Sequence, residues 1–407
     1  MPPAKRIAPA VFHLLVLFLA CGAAQAQSFE EAVRAARLAD AQFAAQRATV
    51  EGRRVQARQA SAAYLPSATA GYSRNDSGNG KSTLSVSQPL LNYDRYLTLQ
   101  QSEPLAALAQ AEARQADSEL ILRVHTAMAE IVRQRESIRS LGVQIDGLQE
   151  QYRRAVRLRE LGQGTVTEVS DFEVRVAVAQ GNRLNTQTAL QTAVRSFTLL
   201  TGLTPKVATM ELVLPPAAVE PADALAAAAV ARAGAPTPVS ARLNLMLTQI
   251  AARRVKAQYL PELSFQAGYS QASGAAAVNS ARVGLNVSVP LSAGGYYQFQ
   301  QAEIDLVKAQ ENLRFAEDSA ASDAARLHQT VAALAEEVQV RQRALEGARL
   351  SVEANLKSYL GGVKTNIDVV TSYQIQADAE VALVGSELAR GEARLKLALL
   401  VNDRVLP

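Results

Sequence analysis

Hydrophobic and polar residues alternate along two short stretches of the chain, residues 64–93 and 259–291. Both stretches begin with Tyr-Leu-Pro, pass through Gly-Tyr-Ser and end close to a Pro-Leu step. Strict alternation around Gly-, Ser- and Asn-rich segments is typical of β-hairpins, so the sequence predicts two of them. In the second hairpin, one face of the outgoing strand carries Leu263, Phe265, Ala267 and Tyr269. One face of the return strand carries Val283, Leu285, Val287 and Val289.

In the rest of the chain apolar residues recur every three or four positions, a spacing that predicts helices. The predicted helices cover residues 28–63, 96–161, 165–200, a segment ending at 258, 296–360 and 365–400. Within 96–161 the spacing is close to 3.5 residues over several heptads, which favours a coiled-coil seam. At about 1.5 Å per residue, this helix would be roughly 100 Å long. The predicted fold is mainly α with a small β part.

The order of helix, hairpin, long helix, Gly-containing turn and helix occurs twice. We therefore infer an internal duplication, with a first repeat at 27–202 and a second at 241–407. Residues 203–240 between them are rich in Pro and Ala and predict a linker or a small surface element. A shift of 200 residues superposes Gly162 on Gly362, Thr165 on Thr365 and Val169 on Val369.

The N-terminal 26 residues have the features of a secretory signal peptide. A basic segment precedes the apolar run 11–20, and a small-x-small cleavage site follows at 24–26. We expect the mature chain to begin at Gln27, outside the cytoplasm. Cys21 is the only cysteine, and because the residues before it form a poor lipidation motif, plain cleavage is the favoured outcome.

Composition and motifs argue against an enzyme or a nucleic-acid-binding protein. The net charge is only +4, because 42 basic residues are interleaved with 38 acidic ones. Residues 75–82 resemble a phosphate-binding loop, but a strand follows where a helix should begin, so an extracellular hairpin loop is favoured. His125 and His328 lie far apart without metal-ligand spacing, and no nucleophile–base pair stands out. We expect no cofactor and no metal.

The lengths of the strands suggest a membrane. About 9–11 tilted residues span a bilayer, whereas the open edges of a sheet cannot be placed in lipid. Four strands cannot close a barrel, so several chains must share one. Two chains would give eight strands and a filled lumen, whereas three would give twelve strands and a passage. The sequence therefore predicts a shared pore, with Val283, Leu285, Val287 and Val289 facing lipid.

With its duplicated unit, the sequence resembles the TolC family of outer-membrane efflux and secretion ducts. The resemblance rests also on LSVSQPL (84–90), VGLNVSVPLSAGG (283–295), GQGTVTEV (162–169) and GVKTNIDV (362–369). It implies a homotrimer in the cell outer membrane, with a 12-stranded β-barrel continuing into a periplasmic α-helical coiled-coil barrel. It also implies partners, namely a periplasmic adaptor protein and an inner-membrane ABC or other pump. Because the chain stops at Pro407, just after its last helix, we expect the family's C-terminal equatorial tail to be missing.

The strand segments most resemble the type I secretion branch of the family, which implies a passive exit duct for secreted proteins. A multidrug or small-molecule efflux duct is the alternative within transport proteins. A structural periplasmic coiled coil, with hairpins capping soluble rods, is the alternative from another class.

The two Gly-containing turns admit two compatible interpretations. Thr165 with Glu168, and Thr365 with Asp368, have the spacing of a helix capping box. The family resemblance instead implies a periplasmic gate at these turns.

In that gate, Glu168 would bond to Lys364 and Tyr359, and Asp368 would be a carboxylate facing the lumen. Thr371 stands where the family has another acidic residue, so a complete double acidic ring is not expected. The hairpin-tip turns would dock the adaptor through Gly162, Gly164, Gly361 and Gly362.

Overall fold

The computed structural model describes residues 28–74, 80–214, 221–273, 278–289 and 294–401. The predicted signal peptide with Cys21 lies outside these residues, as do residues 75–79 of the predicted loop at 75–82 and the last residues of the second hairpin.

The chain is mainly helical with one small sheet, as the hydrophobic pattern predicts. The helices are α1 (Phe29–Ala39), α2 (Ala41–Ser61), α3 (Tyr93–Gln100), α4 (Ser102–Glu160), α5 (Val166–Thr201), α6 (Ala224–Gly234), α7 (Pro236–Ala257), α8 (Gly295–Leu360) and α9 (Asn366–Val401). Short 3-10 turns lie at Ala62–Tyr64 and Val207–Thr209. The strands are β1 (Ser67–Arg74), β2 (Gly80–Leu91), β3 (Glu262–Ser273) and β4 (Ser280–Ser288).

The two hairpins join into one antiparallel sheet with the order β1-β2-β3-β4. Pairing of β2 with β3 places Leu84 opposite Tyr269, and the register shifts between Pro89 and Leu91. Proline cannot donate to a β-ladder, which confines it to bulges when it occurs in a central strand. Because all neighbours are antiparallel, the two edge strands, β1 and β4, also run antiparallel to each other.

The N-terminal helix predicted over 28–63 is wrong in one respect, because the structure breaks it at Asp40. The Asp40 carboxylate accepts hydrogen bonds from the Phe43 amide (2.8 Å) and from Arg123 (2.6 Å), and so caps the start of α2. A short acidic side chain that bonds nearby backbone groups competes with helix continuation.

The long helix predicted over 96–161 also differs from the structure. Helix α3 begins at Tyr93, with Asn92 as its N-cap, and a break at Gln101 separates α3 from α4. Pro104 explains the break, because a proline ring clashes with the carbonyl four residues earlier and tolerates only the first turn of a helix. The long helix therefore starts later than predicted.

The segment predicted as a linker over 203–240 contains a packed helix. Ala227 and Ala231 of α6 are fully buried against Ala320 and Ala324 of α8. The next helix, α7, begins at Pro236, with proline in the first turn, where its fixed φ suits a helix start.

The chain divides into two compact units, each with its own core. One unit comprises Met1–Ala36, Val124–Leu214 and Ala348–Val381, and the other comprises the remaining residues. The first has an apolar cluster of α4, α5 and α9 residues, namely Ile145, Leu148, Ala155, Val169, Phe172, Ala179 and Val370. The second contains the sheet, the α6 cluster and a small cluster of Leu97, Ile250 and Ala257.

Candidate functional site

The sheet exposes an apolar face. Its register pairs Phe265 with Leu285 and Ala267 with Val283, and residues that pair directly share one face of the sheet. Val283 and Leu285 are 71% and 66% exposed, although both are large and apolar. Val289 extends the alternation one residue past the end of β4. An exposed apolar surface of this kind indicates contact with lipid or with another protein.

The opposite face of the sheet is polar. Its positions on β3 and β4 are occupied by Ser264, Gln266, Gly268, Arg282, Gly284 and Asn286. The sheet therefore has one apolar face and one polar face. This is the pattern of a sheet with lipid on one side and water on the other.

The Gly-containing turns end two long helices in the same way. Gly162 and Gly362 have φ of +72° and +76°, in the left-handed region where glycine is favoured. Each belongs to a Schellman motif, in which the next residue donates to a carbonyl five positions earlier, Gln163 to Leu158 and Val363 to Ser358, both at 2.9 Å. These glycines therefore terminate α4 and α8.

The other two turn glycines, Gly164 and Gly361, differ in how much space surrounds them. A Cβ at Gly164 would lie 2.9 Å from the Arg159 nitrogen, so this position admits only glycine without a shift of the backbone. A Cβ at Gly361 would make only ordinary contacts, at 3.7 Å.

The first turn forms a complete capping box. The Glu168 amide donates to the Thr165 hydroxyl (3.2 Å), and the Thr165 amide donates to the Glu168 carboxylate (3.3 Å). Thr165 is exposed and Glu168 is half-buried. The interpretation of these two residues as a helix cap therefore has direct geometric support, and it leaves one Glu168 oxygen for other contacts.

In the second turn, the carboxylate of Asp368 collects several donors. The Thr365 amide and hydroxyl both donate to it at 2.9 Å, and Lys364 Nζ lies 3.4 Å away. The hydrogen bonds from Thr365, aided by Lys364, hold the pKa of Asp368 below its usual value of 3.8. Within this chain, Lys364 is thus paired with the carboxylate of its own turn, whereas the family resemblance assigned it to Glu168.

Tyr359 links the ends of α4 and α8. The Arg154 guanidinium lies 5.8 Å from the centre of its ring, within the range of a cation–π contact. Burial raises the pKa of Tyr359, and the nearby negative charge of Glu168 raises it further. The Tyr359 hydroxyl therefore lies within the electrostatic influence of Glu168. Sequence reasoning missed Arg154, the third residue of this group, because no local motif marks it.

Two further contacts, one near the turns and one farther along the helices, were not predicted. Asn366, at the start of α9, is buried, and its amide lies 3.5 Å from the Asp171 carboxylate of α5. Deeper in this unit, a Cβ at Gly147 would lie only 2.5 Å from the Tyr373 ring, so α4 and α9 approach closely there. The only sequence signal for the first contact is a polar residue at a helix start.

Around Gly147, the contact between α4 and α9 is polar. The buried Ser140 hydroxyl donates to the Ala377 carbonyl (3.3 Å), and Gln144 bonds to Gln374 (2.7 Å). Sequence reasoning missed this second interface, because polar residues at helical spacing ordinarily indicate a face in water.

Among the described residues, no helix is long and apolar enough to cross a membrane. The same part of the chain contains no group of three or more His, Cys, Asp or Glu side chains arranged to hold a metal ion.

Comparison with known proteins adds independent information. The sequence model of the family described as "Outer membrane efflux protein" matches residues 32–203 and 227–403. The alkaline protease secretion protein AprF of Pseudomonas aeruginosa is 25% identical over 307 residues, which cover 72% of this chain and 63% of that protein. The chain thus spans slightly less than two thirds of AprF.

Two other similar proteins extend the comparison. The proteases secretion protein PrtF of Dickeya chrysanthemi is 25% identical over 397 residues, covering 90% of this chain and 86% of that protein. The crystal structure of the outer membrane protein VceC of Vibrio cholerae superposes with a TM-score of 0.75 at 17% identity, covering 92% of this chain and 96% of that one. Because the family model matches most of the chain, the chain belongs to the outer membrane efflux protein family.

Proposed function

We propose that this protein is the outer-membrane exit duct of a tripartite export system, passively conducting substrate from an inner-membrane pump and its adaptor. The observation that carries the proposal is the sheet, with a highly exposed apolar face, a polar opposite face and two open edges. Lipid can cover the apolar face, but open edges in lipid would leave backbone groups unsatisfied. A closed barrel made by several copies resolves this conflict.

The arrangement of strands supports a ring of three copies. Because β1 and β4 are antiparallel, β4 of one copy can pair with β1 of the next in the pattern already present within the sheet. Head-to-tail contacts of this kind generate a closed ring when the rotation from one copy to the next closes on itself. Three copies would supply twelve strands, an even number in the range of outer-membrane barrels that hold a passage. In this proposal, 27–202 and 241–407 are the two structural repeats of each subunit.

The helix turns support a periplasmic gate and docking point. We infer that Glu168, Tyr359, Lys364 and Asp368 form the gate, with Arg154 beside Tyr359. The tips around Gly162, Gly164, Gly361 and Gly362 would dock the adaptor. Leu161 and Val363, at these tips, are 71% and 82% exposed, which favours a partner there.

For the cargo, we propose secreted protein, because two relatives carry secretion of proteases in their names. The description of the family as efflux proteins favours small molecules as the second candidate. Deletion of the gene in a host that secretes a protease would separate the two, since loss of the extracellular protease with unchanged drug tolerance is expected for protein secretion.

Fractionation with native mass measurement tests the duct itself. We expect a detergent-requiring trimer in the outer-membrane fraction, with heat-modifiable migration on gels and ion conductance in planar bilayers. A protein released in soluble form by osmotic shock would contradict the proposal and favour a periplasmic coiled coil.

A further inference from the structure

The polar face of the sheet bears its positive charge at one end. Residues that pair directly share a face, so the polar face of β3 and β4 continues onto β2 and β1. On the four strands that the structure describes, the charged residues of this face are Lys81, Glu262 and Arg282. All other positions of the face on these strands are uncharged. Each sheet therefore presents two cations and one carboxylate to the polar side.

The two cations lie near the hairpin turns, far from the carboxylate. Lys81 and Arg282 are exposed and come early in β2 and β4, whereas Glu262 is the first residue of β3. Lys81 pairs with Ala272 and Arg282 pairs with Gly268, ten and six positions from Glu262. At about 3.4 Å per residue, these separations are about 34 and 20 Å along β3. Both exceed the Debye length of about 8 Å at physiological ionic strength, so Glu262 neutralises the cationic end little.

Protection of an open edge explains only one of the two cations. A charge that points inward from an edge strand discourages pairing with other chains, and Arg282 lies on the edge strand β4. Lys81, however, lies on the central strand β2, between Ser73 of β1 and Ala272 of β3. A lysine on the same face and near the same end as Arg282 therefore needs another explanation.

A ring of three copies would repeat these charges around one passage. The polar face would line the passage, with three copies of Lys81 and three of Arg282 toward the hairpin turns. The strand brought beside Arg282 by the next copy, β1, carries only Ser, Thr and Gly on this face, so it supplies no carboxylate to pair with it. Rings of Arg and Lys side chains line pores that select anions, and low-dielectric walls focus the field of such charges.

We propose that Lys81 and Arg282 make the outer end of the duct selective for anions. Solutes and polypeptide segments with a net negative charge, carried by carboxylate or phosphate groups, would enter this part of the passage in preference to cations. The inference rests on the proposed duct, and it assigns a charge preference to the cargo of that duct.

Reversal potentials in planar bilayers under a potassium chloride gradient test the inference. Lys81→Gln and Arg282→Gln are measured singly and together, at low ionic strength where screening is weak. The matched control is Arg74→Gln, because Arg74 pairs with Gly80, one position from Lys81, but lies on the apolar face. Glu168 and Asp368 are unchanged in every variant, so their contribution to selectivity is the same throughout.

We expect the combined variant to lower the chloride-to-potassium permeability ratio by about threefold or more, because both cationic rings are lost. Arg74→Gln should keep the wild-type ratio, as should the charge-conserving pair Lys81→Arg with Arg282→Lys. An unchanged ratio in the combined variant, with its trimer intact, would overturn the inference and leave the duct standing. Equal shifts for Arg74→Gln and Lys81→Gln would overturn it too. A wild-type protein that forms no conducting trimer would overturn the duct, and the inference with it.

A second measurement needs no variant to assemble. Tripolyphosphate, a small polyanion, should lower the conductance of the wild-type trimer when added on one side of the bilayer. Spermidine, a cation of comparable size, should not lower it from that side. The combined variant should need about tenfold more tripolyphosphate for the same block, since the field that attracts the anion is reduced. Lack of block by tripolyphosphate from either side, or equal block by spermidine from the same side, would refute the proposed selectivity.

Discussion

A single arginine at neighbouring positions of β4 tests the proposal that the apolar face of the sheet contacts lipid. Leu285 lies on the apolar face, is 66% exposed, and pairs with Phe265. Asn286, the next residue, lies on the polar face opposite Ser264. We expect Leu285→Arg to impair assembly in the membrane, whereas Asn286→Arg is tolerated because its charge faces water.

The free-energy cost of the arginine depends on how deep its position lies in the membrane. Leu285 lies three residues before the end of β4 at Ser288, or about 10 Å along the strand. Arginine on the lipid face costs about 2–4 kcal/mol at the midplane and about 0–1 kcal/mol near the interface. Three copies in a ring would bring the cost near the midplane to about 6–12 kcal/mol, comparable with the whole stability of many proteins. Val287→Arg, only one residue from the strand end, should be milder.

The assay is the fraction of protein that migrates as a heat-modifiable trimer in outer-membrane preparations, with total expression as the control. The expected order of trimer yield is Asn286→Arg, then Val287→Arg, then Leu285→Arg. Equal yields for Leu285→Arg and Asn286→Arg would show that the sheet does not face lipid on its apolar side. A reversed order would show that the two faces have been exchanged.

Further predictions concern the helix turns. Gly162→Ala should destabilise the protein by about 1 kcal/mol in urea unfolding, because an L-residue is strained at its φ of +72°. The control, Gly142→Ala, should stabilise the protein slightly, since a Cβ there meets nothing within 4 Å. Equal effects of the two substitutions would exclude the strain argument. Lys364→Ser combined with Tyr359→Phe should raise single-channel conductance at unchanged trimer yield, and unchanged conductance would leave only the capping function of the turns. Because the folded pKa of Asp368 is lowered from 3.8, its stabilisation is complete above that pH and is lost as the pH falls below it. Asp368→Asn should remove this part of the acid sensitivity in thermal melts, and an unchanged acid profile would contradict the assignment.

The hydrophobic periodicity predicted which segments form helices and strands. It predicted the ends of these segments only where the backbone requires a particular residue. The ends of α4 and α8 could be predicted because Gly162 and Gly362 adopt a conformation that other residues avoid. The break at Asp40 was missed, since an acidic cap inside an otherwise continuous helical pattern leaves the periodicity unchanged. Strand order was not predictable, because the pairing of β2 with β3 joins segments that the sequence separates by more than 150 residues.

In the candidate site, too, contacts between residues close in sequence could be predicted, whereas contacts between distant residues could not. The bonds of Thr165 with Glu168 lie within one helical turn, so their spacing reveals them. The contact of Asn366 with Asp171 joins residues 195 positions apart, and no spacing rule connects them. Arg154 was missed for the same reason, because only the packed structure places it over Tyr359.

Helix α4 shows why an apolar seam predicts only one of two interfaces. Its apolar side, with Ile145 and Leu148, packs against α5 and could be identified from the pattern. Toward α9, which adds Val370 to the same cluster, α4 also presents polar residues, and polar residues on a helix ordinarily predict a face in water. At Gly147 the absence of a side chain lets the Tyr373 ring approach, and the Ser140 hydroxyl and Gln144 amide nearby are buried and bond across the interface. Satisfied polar groups can be buried at little cost, whereas unpaired ones cannot. The contact between α4 and α9 therefore depends on matched partners on both helices, which the pattern of one helix cannot show.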